Sequence, residues 1–167
     1  MSEITNGKLL VVEGKLTKFL SQKNDPSFDW PMSKCLVAAT AALEPYRKAS
    51  DASDEVKAYE QGILSIQVKH CDKDEQGNPI VRDQREDGGN LIFAVKDRDS
   101  LQKEINEYNE EHADAMQAKK EHDERNIALL AETVSVGFCQ MKGDLIPSGI
   151  MTGLEMALLG EVGILVD

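Results

Sequence analysis

The sequence has little of what marks an exported, membrane-spanning or nucleotide-binding protein. Three cysteines, Cys35, Cys71 and Cys139, stand far apart among 167 residues with no C-x-x-C pair. An odd, scattered set argues against a disulfide framework and a four-ligand zinc site, and fits a reducing cytosol. No apolar run approaches the roughly 18 residues that span a bilayer, and the opening Met1-Ser2-Glu3-Ile4-Thr5-Asn6 lacks the apolar segment of a signal peptide. The expectation is a soluble, cytoplasmic protein with no membrane partner. Lys and Arg number 19 against 30 Asp and Glu, a formal charge of −11, with a pI near 4.7. That balance repels phosphate backbones, and pairs such as Arg47-Lys48 and Lys119-Lys120 do not offset it, so direct nucleic-acid binding is not expected. The glycines at Gly88-Gly89 and Gly149-x-x-x-Gly153 form no phosphate-cradling loop, and no G-x-S-x-G elbow is present. Kinase, hydrolase and nucleotide-binding readings find no support, and no catalytic, cofactor-binding or metal-binding residue is assigned.

What is present is a core. Hydrophobic residues make up 41 % of the chain and are spread along it without a Pro/Gly/Ser-rich break, which reads as a single domain over residues 1–167. The expected fold class is α+β, with amphipathic helices forming a kinked helical hairpin packed with a small antiparallel β-sheet. Leu9, Val12, Leu16, Phe19 and Leu20 predict a first helix over about 6–21, capped at Thr5 or Asn6. Residues 23–29 read as a turn, and Pro31 as the first turn of a second helix carrying Met32, Cys35, Leu36, Ala39, Leu43 and Tyr46. Pro45 should kink or end it, and a further stripe, Val56, Tyr59, Ile63, Ile66 and His70, follows. One kinked rod or two nearly collinear helices over 31–70 are expected. Ile80-Val81 and Leu91 to Val95, around Asp87-Gly88-Gly89-Asn90, predict a hairpin. A long polar helix is expected over 97–122, its narrow stripe of Leu101, Ile105, Tyr108, His112 and Ala115 covering a neighbour. Thr133 to Gln140 alternate as a strand, Ser148 can cap a last short helix, and the apolar tail Ile164-Leu165-Val166 must dock on something.

Asp72, Asp74, Gln76, Gly77, Asn78 and Asp83 echo a calcium loop, but Gln stands for an acidic ligand, Pro79 for a β-branched residue and Asp for the bidentate Glu. Ordinary turn chemistry accounts for the same residues. His112 and His122 lie about 80° apart on an ideal helix, and His70-Cys71 at a helix end reads as a cap. Glu104, Glu107, Glu110 and Glu111, with Glu121, Asp123 and Glu124, lack the burial that would tune them for acid–base work, and read as solvated charge. Phe28 and Trp30 either staple a helix start or anchor a partner.

The order of features is a further guide: Ile4-Thr5-Asn6 leading into an amphipathic helix, a long helical stretch, the turn Lys73 to Pro79, a hairpin closing at Phe93, a polar helix, and a Thr133-to-Phe138 strand before Leu145-Ile146-Pro147. In this it resembles a group of small uncharacterised proteins encoded by tailed bacteriophages and prophages. The resemblance implies a setting, the infected bacterial cytoplasm or the virion, and no site residues. Two functions fit these features. The first is a non-enzymatic phage or prophage accessory for assembly or structure, which binds a phage structural protein or a host protein, or self-associates. Its contacts would be Phe28, Trp30, Ile164 and Leu165. The second is an acidic inhibitor of a host nucleic-acid enzyme or defence complex, acting through Glu104, Glu107, Glu110 and Glu111.

Overall fold

The computed structural model describes residues 2–22, 24–83 and 92–166. In chain order the elements are β1 (Ser2–Thr5), α1 (Asn6–Leu20), α2 (Pro26–Ala49), α3 (Asp54–His70), β2 (Val81–Asp83), β3 (Ile92–Phe93), α4 (Arg98–Glu111), α5 (Ala113–Ala131), β4 (Thr133–Val136), β5 (Met141–Lys142), α6 (Gly153–Glu161) and β6 (Leu165–Val166). The fold is α+β. Two compact units divide it, one made of residues up to Asp51 together with those from Glu124 on, the other of Ala52–Asp123. Among the described residues no helix is long and apolar enough to cross a membrane.

In the first unit, Thr5 accepts a hydrogen bond from the Lys8 backbone N–H and caps α1, whose Leu9, Val12, Leu16 and Phe19 are fully buried. They meet Phe28, Met32, Cys35, Ala39 and Leu43 of α2, also fully buried. α2 begins earlier than Pro31. Asp25 accepts from the Ser27 backbone N–H at 2.8 Å and Pro26 takes the first turn, so residues 26–29 are helix where a turn was expected. The helix also runs through Pro45 to Ala49. The missing N–H and ring of an interior proline cost about 3 kcal/mol, and the buried face around Leu43 offsets that. Because α2 ends at Ala49 and Ser53 caps a separate α3, residues 31–70 belong to two helices rather than one rod.

β1 was not expected from the sequence. It pairs antiparallel with β4, from Ser2 opposite Val136 to Thr5 opposite Thr133, and β4 ends at Val136, short of the expected Gln140. At the junction the Asn6 side-chain amide donates to the Leu129 carbonyl at 2.8 Å and its backbone N–H to the Glu132 carbonyl at 2.9 Å. This satisfies carbonyls at the end of α5 that have no helical donor. The C-terminal tail docks as β6, parallel to β5, with Ile164 fully buried. α6 is capped by Thr152 rather than Ser148, in a reciprocal box with Glu155.

In the second unit, α3 lies against α4. The backbone N–H of Asp72 donates to the Ala94 carbonyl at 2.7 Å, and that of Ala94 to the Ile80 carbonyl at 2.8 Å, which continues the antiparallel pair β2–β3. The turn expected at Asp87 to Asn90 lies outside the described residues. The polar helix expected over 97–122 is two helices meeting at His112, where the backbone leaves helical values (φ −119°, ψ 40°). No proline or glycine marks the break. α5 then continues to Ala131, since Ala128-Leu129-Leu130-Ala131 favours helix.

Candidate functional surface

A helical position two residues on is rotated by about 200°. The buried line Phe28, Met32, Cys35 and Ala39 of α2 therefore fixes an opposite line, Trp30, Lys34, Val37 and Ala41, which points away from the core. Trp30 is 67 % exposed and Val37 69 % exposed; Lys34 and Ala41 are exposed as well, and the line continues through exposed Glu44 and Lys48. The Lys34 ammonium sits 4.5 Å from the Trp30 ring centroid, a cation–π contact. Glu44 and Lys48 pair at 2.7 Å across one helical turn. Beside this line runs a shallow groove of about 520 Å³ lined by Leu36, Val37, Thr40, Ala41, Glu44 and Arg47. Its rim is fixed from α1, where the Glu13 carboxylate accepts from the Thr40 hydroxyl at 2.8 Å and from the Arg47 guanidinium. The Glu13 carboxylate raises the Arg47 pKa above its ordinary value.

The residues singled out in the sequence fall in different places. Phe28 and Ile164 are fully buried and hold the core together, so neither is on the surface for a partner. Leu165 is half-buried in β6. Trp30 alone of that set is a fully presented aromatic. Among the carboxylates, Glu104 turns toward α3, where its oxygens lie 2.7 Å from His70 Nε2 and 2.7 Å from the Lys69 ammonium. The His70 contact, then Lys69, holds its carboxyl below the usual range. Glu107, Glu110 and Glu111 remain exposed on α4, with Lys103 at 3.8 Å from Glu107. Thus the acidic set splits into one structural member and three solvated ones.

The His70–Cys71 pair does not converge on a common point: His70 faces Glu104, and the Cys71 thiol donates to the Val68 carbonyl at 2.9 Å. In the loop after α3, Asp74 accepts from the backbone N–H groups of Gln76 and Asn78 at 2.9 and 2.8 Å. These bonds lower its pKa. With Gly77 at φ 85°, the segment is a self-closed turn. The side chain of Asp83 lies outside the described residues. Among the described residues no group of three or more His, Cys, Asp or Glu is placed to hold a metal ion.

Two features went unread in the sequence. One is a cleft of about 790 Å³ within the second unit, lined by residues of α3, α4 and α5. There the Tyr59 hydroxyl donates to Asn109 Oδ1 at 2.6 Å, and Lys119 lies 3.3 Å from Glu60 and also pairs with Asp123. Four of the cleft's polar groups, Tyr59, Asn109, Glu60 and Lys119, are thus already bonded in pairs. The other is the distribution of charge. Residues 52–123 hold eighteen carboxylates against ten Lys and Arg, a formal −8 of the chain's −11.

The chain matches no model of a known protein family, no curated protein and no solved structure in the three comparisons made.

Proposed function

We propose that this protein is a non-enzymatic accessory that works by binding protein, and that the outer face of α2 is its binding surface. The observation that carries this is Trp30, two-thirds exposed on the same helical line as an exposed Val37 and beside an apolar groove. Tryptophan is the side chain most often found anchoring interfaces, and this one does not contribute to the core. The setting that goes with this reading is a phage or prophage protein in the bacterial cytoplasm or the virion, with a phage structural protein or a host protein as partner. The test is capture of partners from the host background by the tagged chain and by Trp30→Ala. Salt-resistant capture that Trp30→Ala abolishes supports the reading; capture unaffected by the substitution overturns it.

A second reading has its own observation, the −8 carried by residues 52–123. It makes the chain an acidic inhibitor of a host nucleic-acid enzyme or defence complex, held by Coulomb attraction to a basic groove. Such binding weakens with salt and requires Glu107, Glu110 and Glu111, the exposed carboxylates of α4. Retention of a basic partner by the triple Gln variant sinks this alternative.

A further inference from the structure

The outer line of α2 is Trp30, Lys34, Val37, Ala41, Glu44 and Lys48, all exposed. Its spacing of four, three, four, three and four residues is the alternation that keeps a seam facing a partner helix over several turns. The chemistry along the line is also symmetric in a particular sense. About the level of residue 39, Val37 and Ala41 are equidistant, as are Lys34 and Glu44, and as are Trp30 and Lys48. If a second α2 is laid antiparallel on the first with its two-fold axis at that level, each residue meets its counterpart. Lys34 faces the partner's Glu44, Lys48 approaches the ring of the partner's Trp30, and the small Val37 and Ala41 meet at the crossing, where bulk would hold the helices apart.

We infer that the occupant of this face is a second copy of the chain, in a two-fold antiparallel α2–α2 dimer. This rests on the reading of α2 as a protein-binding surface and names its partner. A two-fold contact requires a self-complementary patch. A line on which a cation and an anion, and an aromatic ring and a cation, stand at equal distances from one axis meets that requirement. In the single chain the same groups are paired locally: Lys34 over Trp30 and Glu44 with Lys48 at 2.7 Å. Dimerisation exchanges these exposed pairs for equivalent ones between copies, so no charge is left unpartnered. From Trp30 to Lys48 the seam is about 27 Å long. One helix length lies at the small end of specific interfaces, so the dimer dissociates on dilution.

The test is sedimentation velocity of the full chain over a concentration series, with helix content checked by circular dichroism for each variant. Wild-type protein is expected to shift from monomer to dimer. Lys34→Glu places like charges opposite each other twice across the axis and weakens association about tenfold or more. Glu44→Lys does the same, while the double swap Lys34→Glu with Glu44→Lys restores association to near the original value. Trp30→Ala abolishes it, whereas Leu154→Ala, at an 86 % exposed position on α6, leaves it intact. A dimer indifferent to the charge reversals or to Trp30→Ala overturns the inference. So does a monomer at every concentration. If that monomer still captures a different protein in a Trp30-dependent way, the inference fails while α2 remains the binding surface. If it captures nothing, both fail together.

Discussion

Gly62 of α3 lies under the ring of Tyr108 of α4. A Cβ added to Gly62 would fall inside contact distance of the Tyr108 hydroxyl oxygen and Cζ, and 3.0 Å from Cε2. The ring cannot swing away freely, because it stacks on Tyr59 with centroids 5.6 Å apart and leans on His112 at 4.2 Å. Two effects therefore oppose each other in Gly62→Ala. Alanine is better than glycine in a helix by about 1 kcal/mol, whereas forcing an extra carbon into a filled contact costs about 1–3 kcal/mol. The contact is tight enough that overpacking should reach the upper end of its range and win, with a net loss of up to about 2 kcal/mol, a factor of up to about 30 in the folded population. Hydrogen exchange resolved over the α3 and α4 amides should show faster opening in the variant. In a Tyr108→Ala background the obstacle is gone, so the same Gly62→Ala change should instead stabilise α3 by its helix-propensity gain. This reversal of sign between backgrounds is a coupling that contacting residues show and distant ones do not. Stabilisation by Gly62→Ala in both backgrounds would refute the reasoning, because it would mean that Tyr108 does not occupy the space above Gly62.

Glu155 in the α6 capping box has its carboxyl lowered from 4.5 to about 2, chiefly by the hydrogen bond from the Thr152 backbone N–H, then by Lys15, the Thr152 hydroxyl and Lys18. A lowered carboxyl stabilises the fold above its ordinary pKa and loses that contribution as pH falls through the lowered value. Wild-type stability should therefore fall more steeply between about pH 4.5 and 2 than that of Glu155→Gln, as followed by acid-dependent urea unfolding; parallel curves would dismiss the carboxylate as the source. The Cys35 thiol is pushed up to about 11, first by burial, and donates to the Cys139 carbonyl at 3.0 Å. Cys139 is half-exposed, while Cys35 and Cys71 are buried. Alkylation mapped by mass spectrometry should modify Cys139 first and reach Cys35 only on unfolding, and early labelling of Cys35 would count against its burial.

How far the sequence revealed the fold depended on whether a signal was local. The apolar lines of α1, α2 and α3 were legible because each repeats every three to four residues, and the burial of Leu9, Met32 and Ile66 follows them. β1 was not legible: four residues with Ile4 as the one buried side chain become a strand only through pairing with Thr133–Val136, more than a hundred residues away. Competing caps misplaced two helix starts. Pro26 and Pro31 both suit a first turn, and Asp25, whose carboxylate caps the Ser27 N–H, decides for Pro26. Ser148 and Thr152 are both acceptors, yet Glu155 stands three residues after Thr152 and Met151 three after Ser148. The reciprocal box is possible only at Thr152. The break at His112 carries no comparable signal, because none of the residues around it is a proline or glycine.

The candidate surface was harder to read for a related reason. In α2 the buried line Phe28, Met32, Cys35, Ala39 and Leu43 and the exposed line Trp30, Lys34, Val37 and Ala41 share nearly the same spacing, two residues out of step. Periodicity by itself therefore marks two faces and cannot say which is inside. Composition argues for the first, with four good core residues and an alanine, but it leaves the single tryptophan ambiguous. Phe28 and Trp30, only two residues apart, must point to opposite sides of any helix that contains both. Once Asp25 and Pro26 start α2 ahead of them, one of the two aromatics has to face water, and the core takes Phe28. With a helix starting at Pro31 both lay in a turn and either role stayed open. The location of the candidate surface thus follows from the N-cap at Asp25, five residues before Trp30.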